Sequence, residues 1–101
     1  MSIEQEITRG AQARAILEHD LFKESVETIQ RSIFDVFASI DPADKDGLQL
    51  LRLKLKCLAE ITRQLQTVME TGVLAQEEAK RRQSIAEVAV QRLKRGIRAV
   101  F

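Results

Sequence analysis

The sequence predicts an all-α fold: an antiparallel helical hairpin of coiled-coil character, an N-terminal helix before it, a basic amphipathic helix after it, and an oligomeric assembly. Three observations predict this. Helix breakers are scarce, with four Gly and one Pro among 101 residues. Only 4% of residues are aromatic while 31% are charged, the balance of long helices that face solvent along much of their length. Apolar residues also recur at steps of three and four through most of the chain. At this length the chain forms at most one domain. Its pattern divides it into an N-terminal helix (2–19), a hairpin oligomerisation core (20–72) and a basic C-terminal helix (73–101).

Ser2-Ile3-Glu4-Gln5 has the form of a capping box, in which side chains satisfy the free amides of a first helical turn. Ile3, Ile7, Leu17 and Leu21 follow at helical spacing. Two readings stay open at His19-Asp20: a break with Asp20 as N-cap of the next helix, or one continuous helix.

The second segment carries the clearest pattern. Phe22, Val26, Ile29, Ile33, Val36 and Ile40 step by 4, 3, 4, 3 and 4, a heptad seam. Phe34 and Phe37 widen the seam toward more than one neighbour. Pro42 ends the segment, because the residue before a proline is pushed away from helical angles. Either Asp41 caps the next helix with Pro42 at its first position, leaving Gly47 inside the helix, or Asp46 is the cap. The connection is under eight residues, short enough to make the flanking helices antiparallel neighbours.

The stretch LRLKLK at 51–56 alternates like a strand, but its apolar residues are leucines and the pattern then changes. Leu48, Leu51, Leu55, Leu58, Ile61, Leu65 and Val68 continue at helical spacing as far as Thr71-Gly72, where Gly72 is expected to close the helix as a left-handed cap. The apolar arc of this helix spans about 160° on a helical wheel, wider than one partner helix covers, and Leu53 lies outside even that arc. Self-association is the economical explanation. A last helix is expected from Leu74, with Glu77/Arg81 and Glu78/Arg82 as stabilising i,i+4 pairs and Ala86, Ala89, Val90, Leu93, Ile97 and Val100 as its apolar face. Gly96 weakens its end.

The charge is unevenly placed. Residues 1–79 hold nine basic and fourteen acidic side chains, whereas residues 80–101 hold seven basic and one acidic. The terminal +6 either neutralises the acidic body, its own or a neighbouring copy's, or meets an anionic partner. The second basic feature is a stripe, Lys45, Arg52, Lys56 and Arg63, which is also what an ordinary solvated helix face looks like. Phosphate contacts require only Lys and Arg at reachable spacing. Base reading is not expected, because the chain has neither a short helix-turn-helix nor exposed aromatics suited to stacking. The candidate anion-binding residues are Arg52, Lys56, Arg63, Lys80, Arg81, Arg82, Arg92, Lys94, Arg95 and Arg98. The candidate oligomer or partner interface is Phe22, Val26, Ile29, Ile33, Phe37, Leu53, Leu93, Ile97, Val100 and Phe101.

An enzyme is not expected. The single His19 has no nucleophile paired with it, Cys57 reads as a small core residue, and one Cys with one His gives no metal-ligand spacing. Neither a glycine-rich phosphate loop nor a cofactor site is present. A lone cysteine fits a reducing cytoplasm, the first residues do not resemble a signal peptide, and no apolar run is long enough for a membrane span. The terminal helix has an apolar face mainly of Ala and Val, better suited to close approach of another helix than to a membrane surface.

AILEHDLFKESVETI leads into a heptad seam, then a short acidic turn, then LKCLAEITRQLQTVMETGVLAQEE. In layout, residues 13–78 resemble the oligomerisation core of bacteriophage small terminase subunits. The resemblance implies a homo-oligomer, such as a ring, that binds packaging DNA and modulates the large terminase subunit or another virion protein in the host cytoplasm. It departs from that family in that nothing here occupies the place of the N-terminal helix-turn-helix domain, so a DNA-recognition role falls to the basic segments or is absent. The alternative is a small helical regulator that inhibits a partner protein.

Overall fold

The computed structural model describes the backbone of residues 1–100 and the side chains of residues 1–96. It contains three helices, α1 (Ile3–Glu18), α2 (Asp20–Ser39) and α3 (Lys45–Val100), and no strand among the described residues. Helix α3 has 56 residues, which at 1.5 Å per residue is about 84 Å long and accounts for the 87 × 25 × 18 Å shape.

The capping box at Ser2 forms as expected. Its Oγ accepts from the Gln5 amide at 3.2 Å, and the Ser2 amide donates to Gln5 Oε1 at 3.0 Å. The break between α1 and α2 is a single residue, and the cap is His19 rather than Asp20. His19 adopts extended angles, its amide donates to the Ile16 carbonyl, and its Nδ1 accepts from the Leu21 amide at 3.1 Å. One residue thus closes one helix and opens the next, leaving Asp20 in the first turn of α2, where its charge suits the helix dipole.

The connection to α3 is capped differently from either sequence reading. Asp41 does not cap α3: its Oδ1 accepts from the Ala43 amide at 2.9 Å and its carbonyl from the Asp44 amide, which folds the Pro42 turn back. Asp44 is the cap, with Oδ1 accepting from the Gly47 amide at 2.9 Å and its carbonyl from Leu48. Asp46, the other expected cap, lies in the first turn of α3.

The larger correction concerns Gly72. It does not terminate a helix, for α3 runs straight through it and no glycine has a positive φ among the described residues. Its role is packing. A methyl group on Gly72 would sit 2.7 Å from the Gly10 Cα, and one on Gly10 would sit 2.7 Å from the Gly72 Cα. The two backbones touch here, with Ala13 and Ala75 buried a turn away. Only glycine permits such an approach.

Along α3, positions seven apart show how its packed line is used. Leu51 is buried, Leu58 and Leu65 are half-buried, Gly72 is buried and Ala79 is half-buried. The same line continues as Ala86 and Leu93, and both are exposed. Grooves join Phe37 and Ile33 to Leu48, Leu51 and Leu55, then Phe22 and Val26 to Thr62, Gln66 and Met69, then Ile7 to Val73 and Gln76. Numbers rise on α3 as they fall along α2 and α1, so both shorter helices run against its direction. Among the described residues no neighbouring helix reaches past Ala79, and every described side chain from Lys80 to Gly96 is exposed.

Very little is buried. Among the described residues the buried apolar side chains are Ala13, Leu51 and Ala75. Full burial of one leucine contributes about 1.5–3 kcal/mol, whereas ordering each backbone residue costs about 1–2 kcal/mol. Isolated, the chain leaves most of its apolar surface in water.

Candidate functional site

The seam of α2 divides in two. Phe22, Val26, Ile33 and Ile40 are half-buried toward α3, while Ile29 and Val36 are exposed. Phe34 and Phe37 project further, at 69% and 58% exposed, contrary to the expectation that the chain exposes no aromatics; the heptad seam beside them gave no sign that they would stay uncovered. Together with Gln30, Leu48, Leu55 and Arg52 they line an apolar groove of about 480 Å³ between α2 and α3, within the size range that holds a ligand or an inserted side chain. Of the predicted interface residues, the structure gathers Ile33 and Phe37 in this groove and Phe22 and Val26 in the next. Leu53 lies apart from both, exposed on α3, and Leu93 stands on the unpartnered end. The side chains of Ile97 and Val100, and all of Phe101, lie outside the described residues.

Cys57 is exposed rather than in the core. Its line on α3, with Gln64 and Thr71, lies outside the packed positions, and a small residue among leucines gave no sign of which way it faced. No helix among the described residues is long and apolar enough to cross a membrane.

The basic residues fall into two sets. Arg63 is held by Glu60. Glu78 holds both Arg81, at 2.8 Å, and Arg82, at 3.0 Å, while the expected Glu77–Arg81 pair does not form. Arg81 instead takes the i,i+3 acid, to which its Nε and Nη2 both donate. Arg52, Lys56, Lys80, Arg92, Lys94 and Arg95 make no ion pair among the described residues. The Arg98 side chain lies outside them. Arg52 sits at the rim of the phenylalanine groove, Lys56 one turn further along α3, and Arg92, Lys94 and Arg95 on the segment beyond α1.

Hydrogen bonds from Arg81 and then Arg82, with their charges, hold the Glu78 carboxyl at about 2 against an ordinary 4.5. A carboxyl depressed in the folded state stabilises it above the unfolded value, and that contribution is lost as pH falls toward 2. Arg81 and Arg82 are solvent-exposed and Glu78 is partly so, so the effect on stability is small. Carbon-detected titration is expected to find Glu78 protonating near pH 2 and to move upward in Arg81→Ala. An unchanged titration in that variant would mean that the fork does not form in solution.

Two features escaped sequence reasoning. The repeated Gly-x-x-Ala spacing at Gly10/Ala13 and Gly72/Ala75 was the available signal for the close helix contact. Phe34 is the other: its position beside the seam showed that α2 was broad, but not that no helix of the same chain covers it. Comparison with known protein families, curated proteins and solved structures gives no match.

Proposed function

We propose that this chain is a non-enzymatic assembly factor of the small-terminase kind. In this reading it forms a homo-oligomer through an antiparallel helical hairpin core (α2 with the first part of α3), while the basic end of α3 engages DNA or a packaging-motor partner in the host cytoplasm. The observation that carries it is the mismatch between pattern and burial. The chain has a heptad seam and a broad leucine face, yet Leu51 is the one large apolar side chain buried among the described residues. Chains with this much patterned surface left uncovered bury it in a partner, and a second copy is always at hand. DNA contact fits the unpaired cations beyond Ala79, and would be independent of sequence and steeply salt-dependent.

The groove at Phe34 and Phe37 also favours a second reading, a small regulator that receives an apolar side chain or helix of another protein. Solution mass separates the two. Light scattering is expected to return a multiple of the 11.5 kDa chain mass, and Phe37→Glu and Leu53→Glu to lower that mass with the helical signal retained. A single-chain mass for the unmodified protein would remove the assembly reading and leave the regulator.

A further inference from the structure

One face of α3 is laid out so that a second copy fits it in reverse. At seven-residue spacing it carries Leu53, Glu60, Thr67, Leu74, Arg81, Val88 and Arg95, all exposed. This line is not the one that packs on α1 and α2. Leu74 is 65% exposed and Val88 is 45% exposed, and the two stand seven positions to either side of Arg81. Thr67 and Arg95 stand fourteen to either side. Beside the line, Ile85 is 58% exposed.

The charges around the same centre are opposite in sign. On the N-terminal side lie Glu70, Glu77 and Glu78; on the C-terminal side lie Arg92, Lys94 and Arg95, with Glu87 the one acid among them. Two such helices side by side in parallel set base against base and acid against acid. Turned antiparallel about Arg81, Glu70 of each copy lies opposite Arg92 of the other, while Glu77 and Glu78 fall opposite Ile85 and Ser84. Leu74 then meets Val88 of the second copy, and Arg95 comes opposite Thr67, one turn from Glu70. The arrangement is isologous, so each contact occurs twice. Two Arg81 side chains approach at the axis with Lys80 and Arg82 beside them. Glu78 holds Arg81 and Arg82 within each chain and offsets part of that repulsion, so the orientation is set by the flanking Glu70–Arg92 and Leu74–Val88 pairs.

We infer that this face is a two-fold, antiparallel α3–α3 interface between copies of the chain, centred on Arg81. The inference rests on the homo-oligomeric reading above and specifies one of its contacts. It leaves the groove at Phe34 and Phe37 free for further assembly, and it leaves the line of Ala86 and Leu93 open. It also gives the acidic body of one copy a structural reason to lie against the basic end of another, which sets orientation more than affinity.

Cysteine cross-linking tests it directly, in full-length protein with Cys57→Ser so that no other thiol is present. Two chains are made, one with Leu74→Cys and one with Val88→Cys. Mixed and mildly oxidised, they are expected to give a covalent dimer, because the two positions are opposed. Each alone is expected to give at most a tenth of that yield, since like positions then lie fourteen residues apart, about 21 Å along the helix. Cross-linking of each chain with itself, but not with the other, would overturn the antiparallel arrangement. A multimeric mass without cross-linking would remove this interface while leaving the homo-oligomer standing. A single-chain mass would remove both. In a separate arm, Arg95→Glu is expected to weaken the contact about tenfold, and Glu70→Arg combined with it to restore binding. Failure of that rescue would count against the register.

Discussion

Gly72→Ala is expected to lower the unfolding midpoint of this protein by up to about 15 °C, although alanine is the better helix former. Two opposing effects decide the sign. Alanine inside a helix gains about 1 kcal/mol over glycine. Against this, its methyl group would lie 2.7 Å from the Gly10 Cα and 3.0 Å from the Glu6 carbonyl oxygen. Both of these are backbone atoms that no rotamer change can move aside. The helices must separate, and Ala13 and Ala75 lose contact with them. Overpacking of this kind typically costs about 1–3 kcal/mol, more where the obstacle is backbone. For a chain of this size each kcal/mol is worth about 4–8 °C, so the clash outweighs the propensity gain. Gly10→Ala is expected to behave alike, since the contact is reciprocal. Undocked, the 16 residues of α1 are near the limit below which an isolated helix is marginal in water, so the helical signal should fall as well. Gly96→Ala is the control: nothing lies within 4 Å of its added methyl group, so it should be neutral or mildly stabilising. A Gly72→Ala protein that melts higher than the unmodified chain would refute the close contact.

That contact also marks the limit of what the sequence could reveal. Helical character followed directly from periodicity and scarce breakers, and the Ser2 box from local spacing alone. The caps at His19 and Asp44 were harder. Several neighbouring polar residues can cap, and the choice turns on which side chain reaches an amide in three dimensions. Gly72 misled for a clear physical reason. After Thr71 the strongest local precedent for glycine is a left-handed cap, and an opposing glycine sixty-two residues away is not local information. The Glu77–Arg81 pair failed in a similar way, because Arg81 had a second acid within reach and took it with two bonds. Among the anion-binding candidates the sequence supplied positions and signs, but not that Glu60 holds Arg63 or that Glu78 holds Arg81 and Arg82. Periodicity reports which residues share a face; whether anything covers that face is tertiary information, and for α3 beyond Ala79 nothing among the described residues does.

Removing residues 80–101 is expected to leave the fold intact and abolish binding to DNA. The structural half follows from burial: Ala79 is the last half-buried position of α3, and all described side chains from Lys80 to Gly96 are exposed. The unfolding midpoint measured at low concentration, where assembly contributes little, should therefore stay where it was. The binding half follows from charge, since the deleted segment holds seven basic residues and one acidic. Lys80, Arg92, Lys94 and Arg95 are the cations there without an ion partner among the described residues. At about 0.9 per phosphate contact, all four together give the intact chain a slope of log K against log salt of roughly −3 to −4 on duplex DNA, and about half that where the α3–α3 contact holds Arg92 and Arg95. The truncated chain keeps Lys45, Arg52 and Lys56 on the stripe, too few to hold a duplex at moderate salt. Its solution mass should also fall, because the antiparallel α3 contact loses Val88 and Arg95. Fluorescence anisotropy across a salt series, melting curves and light scattering on the two proteins read these effects separately. A truncated chain that melts earlier at low concentration would place the end of α3 in the core. Unchanged DNA affinity would move the contact to the stripe at Arg52 and Lys56. If the intact chain shows no salt-dependent affinity at all, the +6 end serves the acidic body of a neighbouring copy rather than nucleic acid.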